Sequence, residues 1–266
     1  MLSSFILLLV GHAFLVQNEF YARQTLQVGV QDNARAATEL VAREVRNTGT
    51  DGVVVAGART LTVRSPMTIG VVCHRENGTT ADVQTEGGPA GLETGAVAGI
   101  ALRNDSTWEY QTASWASLDG SDVQSANNCA VNGADTVGAR TDFHRLVGLG
   151  VFSAGLAERD VFMLFRETTF SIRPSVLDPT TLGLFRTDNG GTPVEFATGI
   201  DTTAAFSYHT SAGSYVDTVA ASSLGSVDAV RITLDARRPP ATGGRDDVTF
   251  GWSVTVPLRT VREGGN

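Results

Sequence analysis

The sequence contains no lysine: all 20 of its basic residues are arginines, against 28 acidic residues, and the formal net charge is -8. An acidic chain has no general electrostatic attraction for nucleic acid or anionic lipid, so we expect no nucleic-acid partner. Charged residues of either sign make up only 18% of the chain and hydrophobic residues 42%, a balance that excludes a disordered protein. The 29 glycines favour a folded, turn-rich and β-rich body.

Cysteine is also scarce, since the chain has only Cys73 and Cys129. Two cysteines are too few for a disulfide framework, and this pair lacks the close spacing of a zinc site. In an oxidising compartment the two could form a disulfide, which would stabilise the fold by roughly 4 kcal/mol in the chain-entropy model. Two unlinked, buried thiols are the alternative.

The common catalytic and nucleotide-binding motifs are absent from the sequence. It contains no G-x-S-x-G elbow, no Walker glycine loop and no G-x-G-x-x-G after a strand, and its histidines lack metal-ligand spacing. Acidic turns at residues 188–190 and 245–247 could supply oxygen ligands to calcium, but ordinary turn chemistry explains both more simply. We therefore expect neither an enzyme nor a bound cofactor, with calcium as the alternative.

A hydrophobic run without charge opens the chain at residues 1–16. It is shorter than the ~20 residues with which a helix spans a bilayer, and no basic residue precedes it as in a signal peptide. We predict that this run anchors the chain in a membrane. Its residues are Phe5, Ile6, Leu7, Leu8, Leu9, Val10, Phe14, Leu15 and Val16.

An amphipathic helical pattern continues from this run to about Asn47. Small apolar residues recur at three- and four-residue steps and make one stripe, with the charges of Arg35, Glu39 and Arg43 on the other side. The stripe consists of Val30, Ala34, Ala37, Val41 and Val45. We expect this stripe to pack on the body of the protein.

Thr48 and Gly49 mark the predicted end of the helix, with Gly49 in the left-handed conformation that glycine adopts most easily. Together the two patterns predict one continuous helix of about 45 residues and roughly 68 Å. The alternative is a membrane anchor followed by the separate first helix of a soluble domain.

Beyond Gly49 the hydrophobic pattern changes to the period-two alternation of β-strands. Clusters of Asn, Asp and Gly, such as residues 188–191, separate the alternating segments as turns. The segments are residues 60–64, 69–74, 100–103, 162–172, 182–187, 227–234 and 248–256. The sequence therefore predicts an α+β fold, in which a long N-terminal helix (residues 1–48) packs on an antiparallel β-sheet body (residues 49–266).

Residues 31–49 (QDNARAATELVAREVRNTG) resemble the second half of the N-terminal helix of type IV minor pilins, in particular the PilW-like group. In that group Gln-(Glu/Asp)-Asn-Ala-Arg opens an apolar-periodic stretch that ends in Arg-x-x-Gly. A second resemblance is to the same proteins and to the J minor pseudopilin of type II secretion. It rests on Leu184-Phe185-Arg186, on residues 194–200, 206–208 and 227–234, and on the closing residues 254–259.

The resemblance covers about residues 5–49 and 160–260 and implies a pilin-like structural subunit. Such a subunit would be a single-pass inner-membrane protein with its body in the periplasm or at a filament tip. It would prime or cap a type IV pilus or a type II secretion pseudopilus, together with other minor and major pilins or pseudopilins and the inner-membrane assembly machinery. The sequence does not separate a pilus from a secretion or DNA-uptake system.

This sequence departs from the family's pattern at the processing site. In the family a peptidase cuts after a glycine that precedes a Phe-Thr-Leu-x-Glu start, and the new N-terminus is methylated; no residues here match. Counting back from Gln31 places the family's mature start upstream of Met1. We therefore expect a start codon assigned too far downstream or a chain cut at its beginning.

Residues 75–150 match no family pattern, and they carry the alternative function. In that alternative the protein is a membrane-tethered extracytoplasmic binding or adhesion module, and residues 75–150 form its pocket or adhesive face. The two roles can coexist in one protein.

Overall fold

A computed structural model describes residues 2–77, 79–85, 97–104, 107–112, 117–119, 143–147, 157–238 and 248–258. The chain begins with α1 (Leu2–Asn47), one unbroken helix of 46 residues. At 1.5 Å per residue this helix is about 69 Å long. The prediction of a continuous helix is confirmed, and the alternative of two separate helices is wrong.

Helix α1 ends at the predicted residue, Asn47, but by a different mechanism from the expected one. Gly49 has φ -76° and ψ 169°, so it is extended and the expected left-handed conformation was wrong. Thr48 ends the helix instead: its hydroxyl donates to the Glu44 carbonyl at 3.0 Å, and its N–H donates to the Val45 carbonyl at 3.0 Å. These bonds satisfy two of the last helix carbonyls, so a left-handed glycine is not needed.

A 3-10 turn (Thr50–Gly52) leads from α1 into the sheet, in which fourteen antiparallel strands lie within the described ranges. In chain order they are β1 (Val53–Gly57), β2 (Thr60–Asn77), β3 (Thr80–Thr85), β4 (Gly99–Asn104), β5 (Thr107–Thr112), β6 (Ser117–Asp119), β7 (Phe143–Val147), β8 (Val161–Pro174), β9 (Leu182–Asp188), β10 (Val194–Ile200), β11 (Ala205–Thr210), β12 (Tyr215–Val216), β13 (Val227–Arg238) and β14 (Val248–Pro257). The helix packs on this sheet, which confirms the predicted α+β fold.

Strand β2 joins two segments that the sequence pattern separates, residues 60–64 and 69–74. The intervening Pro66 lies at a bulge, where the pairing of β2 with β8 shifts between Pro66 and Thr68. Proline has no N–H to give to a ladder, but Pro66 still lies opposite Phe165, and the pairing resumes at Thr68 after Met67 is skipped, so the strand continues past the bulge. The prediction of two separate strands was wrong for this reason.

Strands β2 and β8 pass through two hydrophobic cores. Next to α1, the start of β2 pairs with β1 and the end of β8 with β9, over a proximal core that includes Leu61, Phe170 and Ile232. At the far end β2 pairs with β3 and β8 with β4, around a distal core that includes Val83 and Phe162. The helix therefore contacts one core, and the two long strands connect it to the other.

Candidate assembly helix

The second half of α1 fastens the helix to the sheet through the predicted stripe, which lies on β2, β10, β13 and β14. The five stripe residues, Val30, Ala34, Ala37, Val41 and Val45, are between 0% and 6% exposed. The last three belong to the proximal core, whereas Val30 and Ala34 pack against Ala236 and Phe250. Because these side chains are small, the helix backbone can lie close to the sheet.

Polar contacts fix the position of the helix at both ends of the stripe. Asn33 Nδ2 donates to the Thr198 carbonyl at 2.8 Å. Glu44 Oε1 lies 3.2 Å from Arg166 Nη2 and 3.3 Å from Arg186 Nη2. The Glu44 side chain is only 15% exposed, so these ion pairs are partly shielded from water and salt.

Glu44 positions the helix on the sheet, and the sequence pattern did not identify it. The pattern placed Arg35, Glu39 and Arg43 opposite the stripe, and all three are exposed. Glu44 lies beside Val45 at the edge of the stripe, and its two arginines come from β8 and β9, more than a hundred positions later in the chain. The sequence offered one indication of this role: Glu44 is a charged residue that directly borders the apolar stripe.

In the first calcium candidate, residues 188–190, the carboxylate of Asp188 binds other protein groups. Asp188 Oδ1 accepts the Thr168 hydroxyl at 3.0 Å and lies 3.0 Å from Arg186 Nε. Asn189 and Gly190 have φ angles of 50° and 68° and form the tight turn between β9 and β10. The other candidate, residues 245–247, lies outside the described residues, and within the described ones no three His, Cys, Asp or Glu side chains are grouped to hold a metal.

The apolar side chains that the structure describes in the first half of α1 are exposed and not buried against the body. Phe14 and Leu15 are 67% and 71% exposed, and Val10 and Val16 are also exposed. Phe20, Tyr21 and Val28 extend this apolar surface beyond the predicted run. Residues 5–9 lie in α1, but their side chains are outside the described part of the structure.

A search for a helix that could span a bilayer finds none long and apolar enough in the described part of the chain. The exposed surface of α1 nevertheless has a physical consequence. Contiguous apolar surface on a folded protein usually marks a site that lipid or another protein covers.

The remaining predicted features fall partly outside the described residues. Cys73 lies on β2, while Cys129 is not among the described residues, so the disulfide stays a prediction. Of residues 75–150, those described form parts of the sheet around the distal core, and the alternative binding face there stays untested. Two grooves that the structure does describe lie near the proximal core, beside residues 29–33 and 179–182.

Searches for relatives give no further guide to the role of this helix, because no family model, curated protein or solved structure matches the chain.

Proposed function

We propose that this chain is a minor pilin or minor pseudopilin, a structural subunit that primes or caps the assembly of a type IV pilus or a type II secretion pseudopilus. The observation that carries the proposal is the division of one continuous helix into two halves. Residues 30–45 are fastened to the body, and the described apolar side chains of residues 10–28 are exposed. The sequence resemblance of residues 31–49 to PilW-like pilins supports the same role.

The exposed half of α1 supplies the driving force for anchoring and assembly in this proposal. Burying one exposed Leu or Phe side chain stabilises a complex by roughly 1.5–3 kcal/mol. Lipid of the inner membrane covers this surface first, and the helices of neighbouring pilins or pseudopilins cover it in the filament. Neither step requires a catalytic residue or a cofactor.

The fastened half of α1 makes the body move with the helix. The buried stripe and the Glu44 ion pairs resist both rotation and sliding of the helix on the sheet. In this role the assembly machinery acts on the helix, and the body follows into the periplasm or to the filament tip. An oxidising periplasm also suits the predicted disulfide between Cys73 and Cys129.

The proposal is tested by placing a charge in the apolar run, with Leu8→Asp or Leu9→Asp in the full chain. We expect loss of surface filaments or of secretion in a strain that depends on this gene, because a charge in the membrane-embedded helix is strongly unfavourable. The melting temperature of the body stays unchanged. Arg43→Asp, on the exposed charged face of the half that is fastened to the body, serves as the control. Normal piliation and secretion with Leu8→Asp would overturn the proposal.

A further inference from the structure

Strand β14 forms a long and regular border of the sheet. Its ten residues pair with β13 without a register shift, and no other strand within the described ranges pairs with it. The border strands β6 and β12 are only three and two residues long. Short strands, bulges and charges usually keep a sheet edge from pairing with another chain. Strand β14 has none of these devices, because residues 248–257 carry no charge and only the last of them is proline.

The hydrogen-bond pattern shows which residues of β14 face outward. The Leu258 N–H donates to the carbonyl of Asp228, which lies opposite it when the register of the ladder is continued. The even-numbered residues of β14 therefore bond to β13, and the residues between them direct their N–H and C=O groups away. The outward residues are Thr249, Gly251, Ser253 and Thr255. All four are exposed and lie about 6.8 Å apart, so the edge is open to a further strand.

A carboxylate lies beside the middle of this edge. Asp235 is the partner of Gly251 in the ladder, and a Cβ atom at position 251 would lie 2.7 Å from Asp235 Oδ1. Glycine therefore leaves room for the carboxylate next to the edge backbone. Asp235 is half-buried, and its carboxylate has no hydrogen bond or ion pair among the described residues. Such a carboxylate favours a cationic group on an incoming strand, because opposite charges across an interface select the partner.

The opposite face of the same edge is apolar. Trp252 is the ladder partner of Leu234, which belongs to the proximal core, so its side chain lies on the face that carries α1. The Trp252 ring stacks on Phe250 with centroids 6.2 Å apart, and Trp252 is still 37% exposed. An added strand would cover the exposed part of this ring. The edge thus offers a charge on one face and an aromatic ring on the other.

We infer that the edge of β14 binds an extended strand of a different protein, which places a basic residue opposite Gly251 and an apolar residue opposite Trp252. The basic side chain pairs with Asp235, and the apolar side chain packs on the Trp252 ring. In strand addition the main-chain hydrogen bonds supply affinity, and alternate side chains supply specificity. Lipid has no row of alternating donors and acceptors with which to pair.

A second copy of this chain does not supply a strand with this chemistry. The described strands that pair along only one ladder are β1, β5, β6, β12 and β14, and none of them contains a basic residue. Two copies of β14 paired with each other would therefore leave both Asp235 carboxylates without a cation. The site lies on the body and does not use residues 10–28 of α1, so the inference goes beyond the proposed function.

Binding can be tested with the full chain in detergent and a fluorescent synthetic peptide that alternates threonine and valine around one central arginine. We expect saturable binding and slower amide hydrogen exchange in residues 248–257, because the outward N–H groups become bonded. The matched peptide with glutamate in place of arginine should bind at least about threefold more weakly, since it places a like charge beside Asp235. Absence of saturable binding, or slower exchange only in other strands, would overturn the inference.

Two variants of the chain test the backbone edge and the carboxylate separately. Ser253→Pro removes one outward N–H and keeps the bonds to β13, because proline is tolerated at such positions of an edge strand. We expect it to weaken binding of the arginine peptide at least about tenfold, whereas Ser253→Thr binds as the wild type does. Asp235→Asn should abolish the preference for arginine over glutamate, and Asp217→Asn, at an exposed carboxylate beside β12, should retain it.

An unchanged affinity in a folded Ser253→Pro chain would refute strand addition at β14. An unchanged preference for arginine in Asp235→Asn would refute the assigned partner chemistry, and this variant decides the question if Ser253→Pro fails to fold. Peptide binding is measured without filament assembly. Its failure therefore leaves the proposed function standing, and normal assembly of Leu8→Asp would leave this inference standing.

Discussion

The two halves of α1 form one helix but lie in opposite environments. Along residues 30–45 the Ala and Val side chains of the stripe are buried against the sheet, whereas the described Phe, Leu, Tyr and Val side chains of residues 10–28 are exposed. Small residues suit a surface that already has its partner, because they allow close packing of helix on sheet. Large exposed residues are typical of a surface whose partner is elsewhere.

The buried stripe of α1 stabilises the body, whereas the exposed apolar residues of its first half are available to contact lipid or another protein. The same substitution should affect folding in one half and assembly in the other. A protein whose N-terminal helix merely extended a soluble fold would show no such separation.

The largest effect is expected from Val41→Asp, because Val41 is fully buried in the proximal core. An unpaired carboxylate there should reduce the free energy of unfolding by at least about 3 kcal/mol, a large part of a typical total. Phe14→Asp should leave it within about 0.5 kcal/mol, as for other exposed positions. Circular dichroism during denaturation of the full chain in detergent measures both. Equal free energies of unfolding for the two variants would show that the two halves of α1 do not differ in their contribution to stability.

A smaller effect is expected from Glu44→Ala, which leaves Arg166 and Arg186 without the carboxylate that they share. We expect a loss of about 1–3 kcal/mol, since all three side chains are less than a third exposed and partly desolvated. Glu39→Ala, on the exposed face of the same helix, is the control and should change stability by less than about 0.5 kcal/mol. A Glu44 variant as stable as the control would show that the ion pairs do not fasten the helix.

The smallest effect is expected from Tyr208→Phe, and it depends on pH. Tyr208 Oη donates to the carbonyls of Gly57 at 2.9 Å and Thr60 at 3.3 Å, so the variant should lose about 1 kcal/mol at pH 8. Burial raises the pKa of Tyr208 in the folded protein. A tyrosine of the unfolded chain ionises near pH 10, so the wild type loses stability as the pH rises above about 10.

Phenylalanine does not ionise, so the Tyr208→Phe variant does not lose stability in this way. The difference in free energy of unfolding between wild type and variant should therefore narrow to about zero near pH 11. Tyr110, whose pKa burial raises to about 12, is common to both proteins and does not affect the gap. Urea denaturation at pH 8 and pH 11 supplies the measurement. A gap that is the same at both values would mean that Tyr208 is not held in its neutral form by burial.

The features that could be predicted from the sequence are those in which apolar residues repeat at a regular spacing along the chain. The stripe from Val30 to Val45 repeats every three or four residues, and segments such as residues 227–234 alternate every two, so both appear without knowledge of their partners. Strand β1, with the sequence VVVAG, is uniformly apolar and has no alternation to detect. Strand β2 was divided at Pro66 because the bulge that accommodates proline depends on its pairing with β8.

The features that could not be predicted depend on residues far apart in the chain. Nothing near Glu44 indicates Arg166 and Arg186, and nothing near Ser175 indicates that its hydroxyl donates to Glu195. The conformation of Gly49 was also wrong, because the Thr48 hydroxyl competes for the same helix carbonyls that a left-handed glycine would serve. The assembly role itself rests on the exposed surface of α1 and stays a proposal.

The pairing of β2 with β8 has a mechanical consequence for a subunit that is held by its helix. The ladder runs from Thr60 opposite Ser171 to Val71 opposite Val161 and joins the proximal core to the distal core. Its hydrogen bonds lie across the strands, so a pull between the helix and the distal end loads many of them together in shear. Resistance to such a load depends on the unfolding rate under force and not on equilibrium stability alone. The long strands thus make the body suited to transmit tension.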